Sequence, residues 1–454
     1  MTQYDLAIIG SGPGGYVAAL YASRHKLKTC IIEKGLIGGT CLNRGCIPTK
    51  SLLNSAGIYK TVKEAASFGV ETSGVSLDFG KMVSRKNDVV LRLRTGVETL
   101  LRANKIDLVK GEAKIKGIGL LSVLGQPDIS AKHTIIASGS NTADLADIKI
   151  DHKDILSSDD VLDIKDLPKS IIIIGGGVIG CEFASLFSIL GSKVMIVEFT
   201  ERLIPTQSRE ASKKLEMAFK RRGVDVLVSS TAESVKKDGI LKLSVSGGRV
   251  IEAEKILVSV GRRANIDCIK GSTCGVVEEG GKIKVNDRLE TGENGVYAIG
   301  DSVSGPMLAH KASYDAILAC DNMLGLNRKV DYSNIPSCIW TDPEIASVGL
   351  TEEEAKVKHP DAKVAKFPYM ASGKALVMGK SDGFAKIIGS AKGDILGVEI
   401  FGEGACDLIA EAVLAKTTNI NIKDWALSVH GHPTLSEVLQ EAAHVFCGTP
   451  IHSV

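Results

Sequence analysis

The chain has 454 residues, 44% of them hydrophobic and 4% aromatic, with a formal net charge of +2. That length supports two to four domains with ample cores, and the balanced charge excludes the broad field that a nucleic-acid or anionic-membrane partner would need. No run reaches the ~18 apolar residues of a membrane span, no secretory leader opens the chain, and ten scattered cysteines make no secreted disulfide framework. The expectation is a soluble protein of a reducing compartment that acts on a small molecule.

Tyr4 to Ile9 (YDLAII) is a short apolar run of the kind that forms a buried parallel strand. GSGPGG follows it, then the helical pattern YVAALYASRHK and a second strand, TCIIE. After a loop come Cys41 and Cys46, in GGTCLNRGCIPTK, and the helical KSLLNSAGIYK. The stretch from Gly111 to Ser140 alternates and turns like a small antiparallel sheet and closes at IIASGS. Then the first pattern returns: strand and turn in SIIIIGGGVIG, helix in CEFASLFSILG, strand in KVMIVE. KILVSVGRRAN and GVYAIGD are further strands ending in glycine, and from about Ile335 a mixed region of strands and helices begins a third domain. The predicted fold is α/β, with two Rossmann-like dinucleotide-binding domains and a C-terminal α+β domain.

The two repeated units carry the first chemistry. Gly10, Gly12 and Gly15 make G-x-G-x-x-G, and Gly175, Gly177 and Gly180 repeat it. The first glycine turns the chain, the second lets the backbone approach a pyrophosphate, and the third lets helix and strand pack while helix-start amides hold the anion. Glu33 and Glu198 each lie 18 residues after the last glycine of their unit, where a carboxylate accepts ribose hydroxyls. Glu198 would repel a 2′-phosphate, so the second site is expected to prefer NAD over NADP; Arg202, four residues on, is the one feature against it. Two dinucleotide sites in one chain suggest a flavin exchanging electrons with a nicotinamide.

Cys41 and Cys46 are the second signal. A thiol at a helix start favours its thiolate, and a pair with four residues between can close a small ring. No further C-x-x-C or H-x-x-x-H stands nearby to complete a metal site. By themselves the residues leave a redox pair and two buried thiols equally open. Of nine histidines, His430 and His432 fall together in SVHGHPTLSE, and Glu437, five residues after His432, is an acid that would fix a tautomer. Alone, a histidine in a turn before a proline is more often a satisfied structural residue.

GSGPGG, GGTCLNRGCIPTK, IIASGS, GGGVIGCE, ILVSVGRRAN, YAIGD, MLAHKA, PEIASVGLTEEEA and HGHPTLSE occur in the order found in the pyridine nucleotide-disulfide oxidoreductases, and the resemblance runs along essentially the whole chain. It implies an FAD-binding domain from 1–142 and 270–334, an NAD-binding domain from 143–269 and a C-terminal dimerisation domain from 335–454. It implies a homodimeric enzyme of the cytoplasm that oxidises a dihydrolipoyl group on a separate lipoyl-bearing protein and reduces NAD. Cys41 would be the thiol that meets the substrate and Cys46 the one that touches the flavin. His432 would be the base, oriented by Glu437 and reaching the disulfide of the other subunit. Lys50 would lie near the flavin, paired with Glu182, and Asp301 would bond the ribityl chain. The remaining FAD contacts would come from Gly10, Gly12, Gly14, Gly15, Glu33, Lys34, Gly39, Thr40, Ala113, Ser138, Gly139 and Ala309. Those to NAD would come from Gly175, Gly177, Val178, Ile179, Gly180, Glu198, Ala232 and Gly261. Rival readings are another NAD(P)H-dependent disulfide reductase of the same family and an NAD-binding flavoprotein without dithiol chemistry.

The sequence departs from the family pattern at Arg44, where many relatives carry a small aliphatic residue, at Ser138 in place of threonine, and at KASYDA in place of a Glu-Gly. Arg44 is expected either to stabilise the thiolate of the reduced pair, raising its potential, or simply to face water.

Overall fold

Short strands that are apolar on both faces must be covered on both, and the chain meets that demand with parallel sheets flanked by helices. The computed structural model describes residues 2–272 and 274–452; positions 1, 273, 453 and 454, which the expected domains include, lie outside them. The first sheet is built from β1 (Thr2–Ile9), β2 (Thr29–Glu33), β3 (Asp107–Lys110), β4 (Ala113–Gly117), β5 (Leu120–Val123) and β6 (Gln126–Ile136) in the order β3-β2-β1-β6-β5-β4. Helix α1 (Pro13–Arg24) leaves the first glycine turn, and α2 (Gly39–Arg44), α3 (Cys46–Lys63) and α4 (Phe79–Ala103) follow β2. The antiparallel strands expected between the two units do not form a sheet of their own. β6 is 11 residues long, pairs with β5 antiparallel on one side and runs parallel to β1 from Ile129 to Ile136 on the other, so the meander extends the parallel sheet. Strand Val296–Ala298 returns to the same sheet beside β6.

The second unit is a five-stranded, wholly parallel sheet centred on Ser170–Ile174, with Lys193–Val197 on one side and Lys255–Val258 on the other. A three-stranded antiparallel sheet, Ala232–Asp238, Ile240–Val245 and Arg249–Ala253, packs beside it. The third sheet is antiparallel, five-stranded, and spans Ser337–Ile339 to Ile395–Phe401, covered by helices Ala405–Thr417 and Glu437–Phe446. The architecture is therefore two Rossmann-like units and a C-terminal α+β unit. Among the described residues no helix is long and apolar enough to cross a membrane.

The first glycine of each fingerprint is irreplaceable for one steric reason. Gly10 and Gly175 sit at φ +99° and +105°, and an added Cβ would lie 2.4 Å from the Ala137 carbonyl oxygen and 2.5 Å from that of Ser259. Those carbonyls end the neighbouring strands, so each turn is pressed against the strand beside it.

A buried ion pair holds the turn that carries Asp301. Lys311 Nζ lies 2.8 Å from Asp315 Oδ2, with both side chains wholly buried on helix Ala309–Met323. Lys311 donates to the Gly300 carbonyl at 3.0 Å, while the Gly300 N–H and the Tyr332 hydroxyl donate to Asp315, both at 2.9 Å. Asp315 is thus the acid of the divergent KASYDA. Removing one partner of such a pair leaves a bare buried charge, which costs about 3–5 kcal/mol. Lys311→Met is expected to lose that much in urea denaturation, and Lys311→Met/Asp315→Asn to recover part of it, because the amide still accepts from Gly300.

Candidate active site

Cys41 does not lie in a loop. The six-residue α2 carries it, Gly45 breaks the chain, and Cys46 is the first residue of the 18-residue α3. Gly45 is what lets the two thiols meet: a Cβ there would stand 3.2 Å from the Thr40 carbonyl oxygen and 3.4 Å from the Cα of Cys41. Both cysteines are half-buried free thiols, and each is the leading influence on the ionisation of the other. The pKa of Cys41 is driven up, first by the Cys46 thiol and then by burial. Cys46 is drawn down to about 7 by the Cys41 thiol and the Lys50 cation, against the opposing effect of burial. Its place at the start of a long helix, where free amides point outward, acts in the same direction.

Lys50 stands one turn along α3. Its Nζ lies 2.7 Å from each carboxylate oxygen of Glu182, which is 5% exposed on helix Val178–Leu190. The Trp340 N–H also donates to Glu182, at 3.0 Å. The pairing implied by the resemblance is therefore present, and sequence reading missed the third partner because a backbone N–H has no residue signature.

The two acid ends are built alike. Glu33 accepts from the N–H and hydroxyl of Ser11 at 2.9 and 2.7 Å and from the Gly35 N–H at 2.6 Å. Glu198 accepts from the Gly176 N–H at 2.5 Å and from the N–H and hydroxyl of Thr200, both at 2.7 Å. In each unit the residue between the first two glycines and the residue two beyond the acid hold the carboxylate at the turn. A carboxylate offers about four acceptor sites, so each keeps capacity for a ribose hydroxyl. Around these acids lie the open turns: Gly12 and Gly39 approach so closely that a Cβ on Gly39 would stand 2.6 Å from the Gly12 Cα, and a Cβ on Gly177 would meet open space. Val178 and Ile179 begin the helix after the second turn. The residues present fit two dinucleotides.

The other residues expected to make contacts take the following places. Ala113 begins β4 and is buried, Ala309 begins its helix, Ala232 begins its strand, and Gly261 adopts φ +123°. Ser138 donates to the Asn265 carbonyl at 2.5 Å, and the Asn265 N–H donates to the Gly139 carbonyl at 2.8 Å. Thr40 is exposed on α2, while Lys34 is tied to Glu112 at 2.9 Å on the surface. Asp301 accepts from the Ser140 hydroxyl at 2.5 Å, and Arg262 donates to that same hydroxyl at 2.7 Å. The phenol of Tyr16 lies near Cys41 and is pushed up by burial and by that thiol. Ser140, Arg262 and Tyr16 were not singled out from sequence, although the first two lie inside the quoted motifs.

Arg44 is mostly exposed, as the second of its two expected roles has it, and also reaches a carboxylate. Its Nη1 lies 3.6 Å from Asp159 Oδ2, and the side chain is 62% exposed. Asp159 is raised by burial, against the pull of Arg262 and Arg44. Lys50, not Arg44, is the cation that favours the Cys46 thiolate.

The structure separates the two neighbouring histidines. His430 is 8% exposed and bonded at 2.7 Å to Glu411, which also accepts from the Trp425 indole at 2.6 Å. His432 is 80% exposed, with Nδ1 2.9 Å from Glu437 Oε1 and Nε2 left for solvent or a substrate. Burial of Glu437 opposes its ionisation, but the Thr434 N–H at 2.7 Å and His432 outweigh it and lower its pKa. An anionic Glu437 fixes the Nδ1–H tautomer of His432.

Two family models match the chain: pyridine nucleotide-disulphide oxidoreductase over residues 4–316 and the dimerisation domain of that family over 335–443. The chain is 44% identical to a dihydrolipoyl dehydrogenase of Bacillus subtilis, over 99% of both chains. It is 40% identical to a mitochondrial dihydrolipoyl dehydrogenase of Arabidopsis thaliana, over 99% of this chain and 92% of the relative. Among solved structures, the HOCl-induced flavoprotein disulfide reductase RclA of Escherichia coli superposes with a TM-score of 0.89 at 26% identity, covering 98% of this chain and 99% of that one. LpdA of Mycobacterium tuberculosis shares the fold, with a TM-score of 0.91 at 23% identity over 98% and 99%.

Two expectations follow. An opposite charge close by moves a pKa by about 1–3 units, so Lys50→Met moves the midpoint of Cys46 alkylation in the reduced protein upward by at least about one unit from near pH 7. Arg44→Val leaves that midpoint in place and changes stability by no more than about 1 kcal/mol, as for exposed ion pairs. Iodoacetamide labelling against pH and urea denaturation read the two.

Proposed function

The chain belongs to the pyridine nucleotide-disulphide oxidoreductases, and from that premise we propose that it oxidises the dihydrolipoyl group of a lipoyl-bearing protein and reduces NAD. The observation that carries the reading is the Cys41–Cys46 pair, polarised between a protonated and an acidic thiol beside Lys50 and Glu182. Its cofactors are FAD and NAD. FAD would be held by the first glycine turn, Glu33 and Asp301, NAD by the second turn and Glu198, and the flavin would take an electron pair from Cys46 and yield it to NAD as hydride.

The residues of the chain perform the dithiol half. In the resting state Cys41 and Cys46 form a disulfide. The Nε2 of His432, from a second copy of the chain, removes a proton from one substrate thiol, and the thiolate attacks Cys41. Attack there expels Cys46, the better leaving group because its pKa is the lower of the two. The second substrate thiol attacks the substrate sulfur of the mixed disulfide and displaces Cys41, its proton passing to the departing Cys41 sulfur, while Cys46 stays as the thiolate, in keeping with the raised pKa of Cys41 and the lowered one of Cys46. Glu437 holds the ring and stabilises its charged form throughout. His432 acts across a homodimer formed by the dimerisation domain, which fits its exposure.

We assign residues 1–142 and 270–334 to FAD, 143–269 to NAD and 335–454 to the dimer interface, and place the enzyme in the cytoplasm. The carboxylate of Glu198 favours NAD over NADP.

Purified holoenzyme with dihydrolipoamide and NAD is expected to form NADH; no NADH would refute the reading. Cys41→Ser and Cys46→Ser abolish this turnover with FAD still bound. His432→Gln lowers kcat by about 10²–10⁴, the usual contribution of a general base.

A further inference from the structure

We propose that Cys338 and Cys406 form a second dithiol, separate from the catalytic pair, that a hydroperoxide converts to a disulfide stapling strand Ser337–Ile339 to helix Ala405–Thr417. The two side chains reach into each other's segments. Cys338 Sγ lies 3.9 Å from the carbonyl oxygen of Cys406, while Cys406 Sγ lies 3.7 Å from that of Ile339 and 3.8 Å from that of Ile345. Each sulfur is thus seated against the other residue's segment, and each thiol is the leading influence on the ionisation of the other. Closing the bond requires the sulfurs to approach to about 2 Å.

The surroundings set this pair apart from the other buried cysteines. Cys30, Cys181 and Cys320 are wholly enclosed and driven up by burial, as inert structural thiols are. Cys338 is only half-buried, and the Cys406 thiol, helped by the Lys50 cation, draws it below its ordinary value against the effect of burial. Glu344 stands on the other side of the pair. Its carboxylate accepts from the Cys406 N–H at 3.0 Å and meets the Cys406 thiol, and burial, with the nearby Glu403 and Asp407, raises it to about 7. The cluster therefore holds a thiolate-prone sulfur, a protonated sulfur and a carboxylate able to take the second proton.

The step balances. Cys338 thiolate attacks a hydroperoxide oxygen; the S–O bond forms, the O–O bond breaks, and the leaving oxygen departs as water or alcohol after protonation. Cys406, losing its proton to Glu344, attacks the sulfenic sulfur; the S–S bond forms and the S–O bond breaks, and the hydroxide takes that proton to leave as water. Two thiols are oxidised and one hydroperoxide is reduced. The staple lies two residues before Trp340, whose N–H binds Glu182, so it fixes the strand that supports the Lys50–Glu182 pair. No substrate dithiol is needed, and the inference stands apart from the proposed activity.

The test is mass spectrometry of the NAD-oxidised holoenzyme after treatment with hydrogen peroxide, removal of the peroxide, iodoacetamide in denaturant, which exposes every remaining thiol, and then trypsin. The expected result is a linked peptide joining Cys338 and Cys406, lighter by two hydrogens, with loss of both from the alkylatable thiols while Cys30 and Cys320 persist. In Cys406→Ser, Cys338 stops at the sulfenic acid and is captured by dimedone; in Cys338→Ser, Cys406 remains alkylatable. The proposal is overturned if both cysteines are fully alkylated at a dose that oxidises the exposed Cys447, or if Cys338 reaches the sulfinic acid in the unmutated protein without any linked peptide.

Discussion

One carboxylate, that of Glu182, ties the molecule together. It is nearly buried, so it must be neutralised, and its two partners come from different parts of the chain: Lys50 from the helix that Cys46 begins, and the Trp340 N–H from the C-terminal region. Glu182 itself sits on the helix that leaves the second glycine turn. A buried charge with a single poor partner would be costly, whereas one with three good bonds fixes its neighbours in place. The thiol pair, the second dinucleotide turn and the interface region are thereby held around a common point.

That constraint also governs the chemistry. Lys50 is drawn close to Cys46 by its bond to Glu182, and the residual positive field favours the Cys46 thiolate, although Glu182 partly offsets it. The asymmetry of the thiols follows from position: Cys46 opens a long helix one turn before Lys50 and is drawn down, while Cys41 in the short α2 is driven up. Attack at Cys41 and departure of Cys46 need no further device.

Two Rossmann-like units with the same hydrogen-bonded acid at the strand end show how little the local motif depends on its setting. Ser11 and Gly176, Gly35 and Thr200 play matching parts although the side chains differ, because backbone N–H groups do most of the holding. The surrounding sheets differ: β6 of the first carries an antiparallel meander, while the second is wholly parallel. The meander was legible as strands, but its fusion to the main sheet depends on which edge of β1 is free, a property of the assembled sheet.

The sequence by itself determined the two strand, turn, helix and strand units, the acids that close them and the candidacy of Cys41, Cys46, Lys50, His432 and Glu437. Those features are local, since strand burial, the steric demand on a glycine and the spacing to the next strand end are all encoded within a few tens of residues. Only the tertiary structure decided which histidine is free, because Glu411, itself held by the Trp425 indole, binds the buried His430 side chain and His432 stays exposed. It also decided that Arg44 turns to Asp159, that Asp315 in KASYDA is the buried partner of Lys311, and that Cys338 meets Cys406. Glu182 is 132 residues from Lys50 and 158 from Trp340. Contacts of that span are set by how covered faces pack against one another, and no spacing along the chain carries that information.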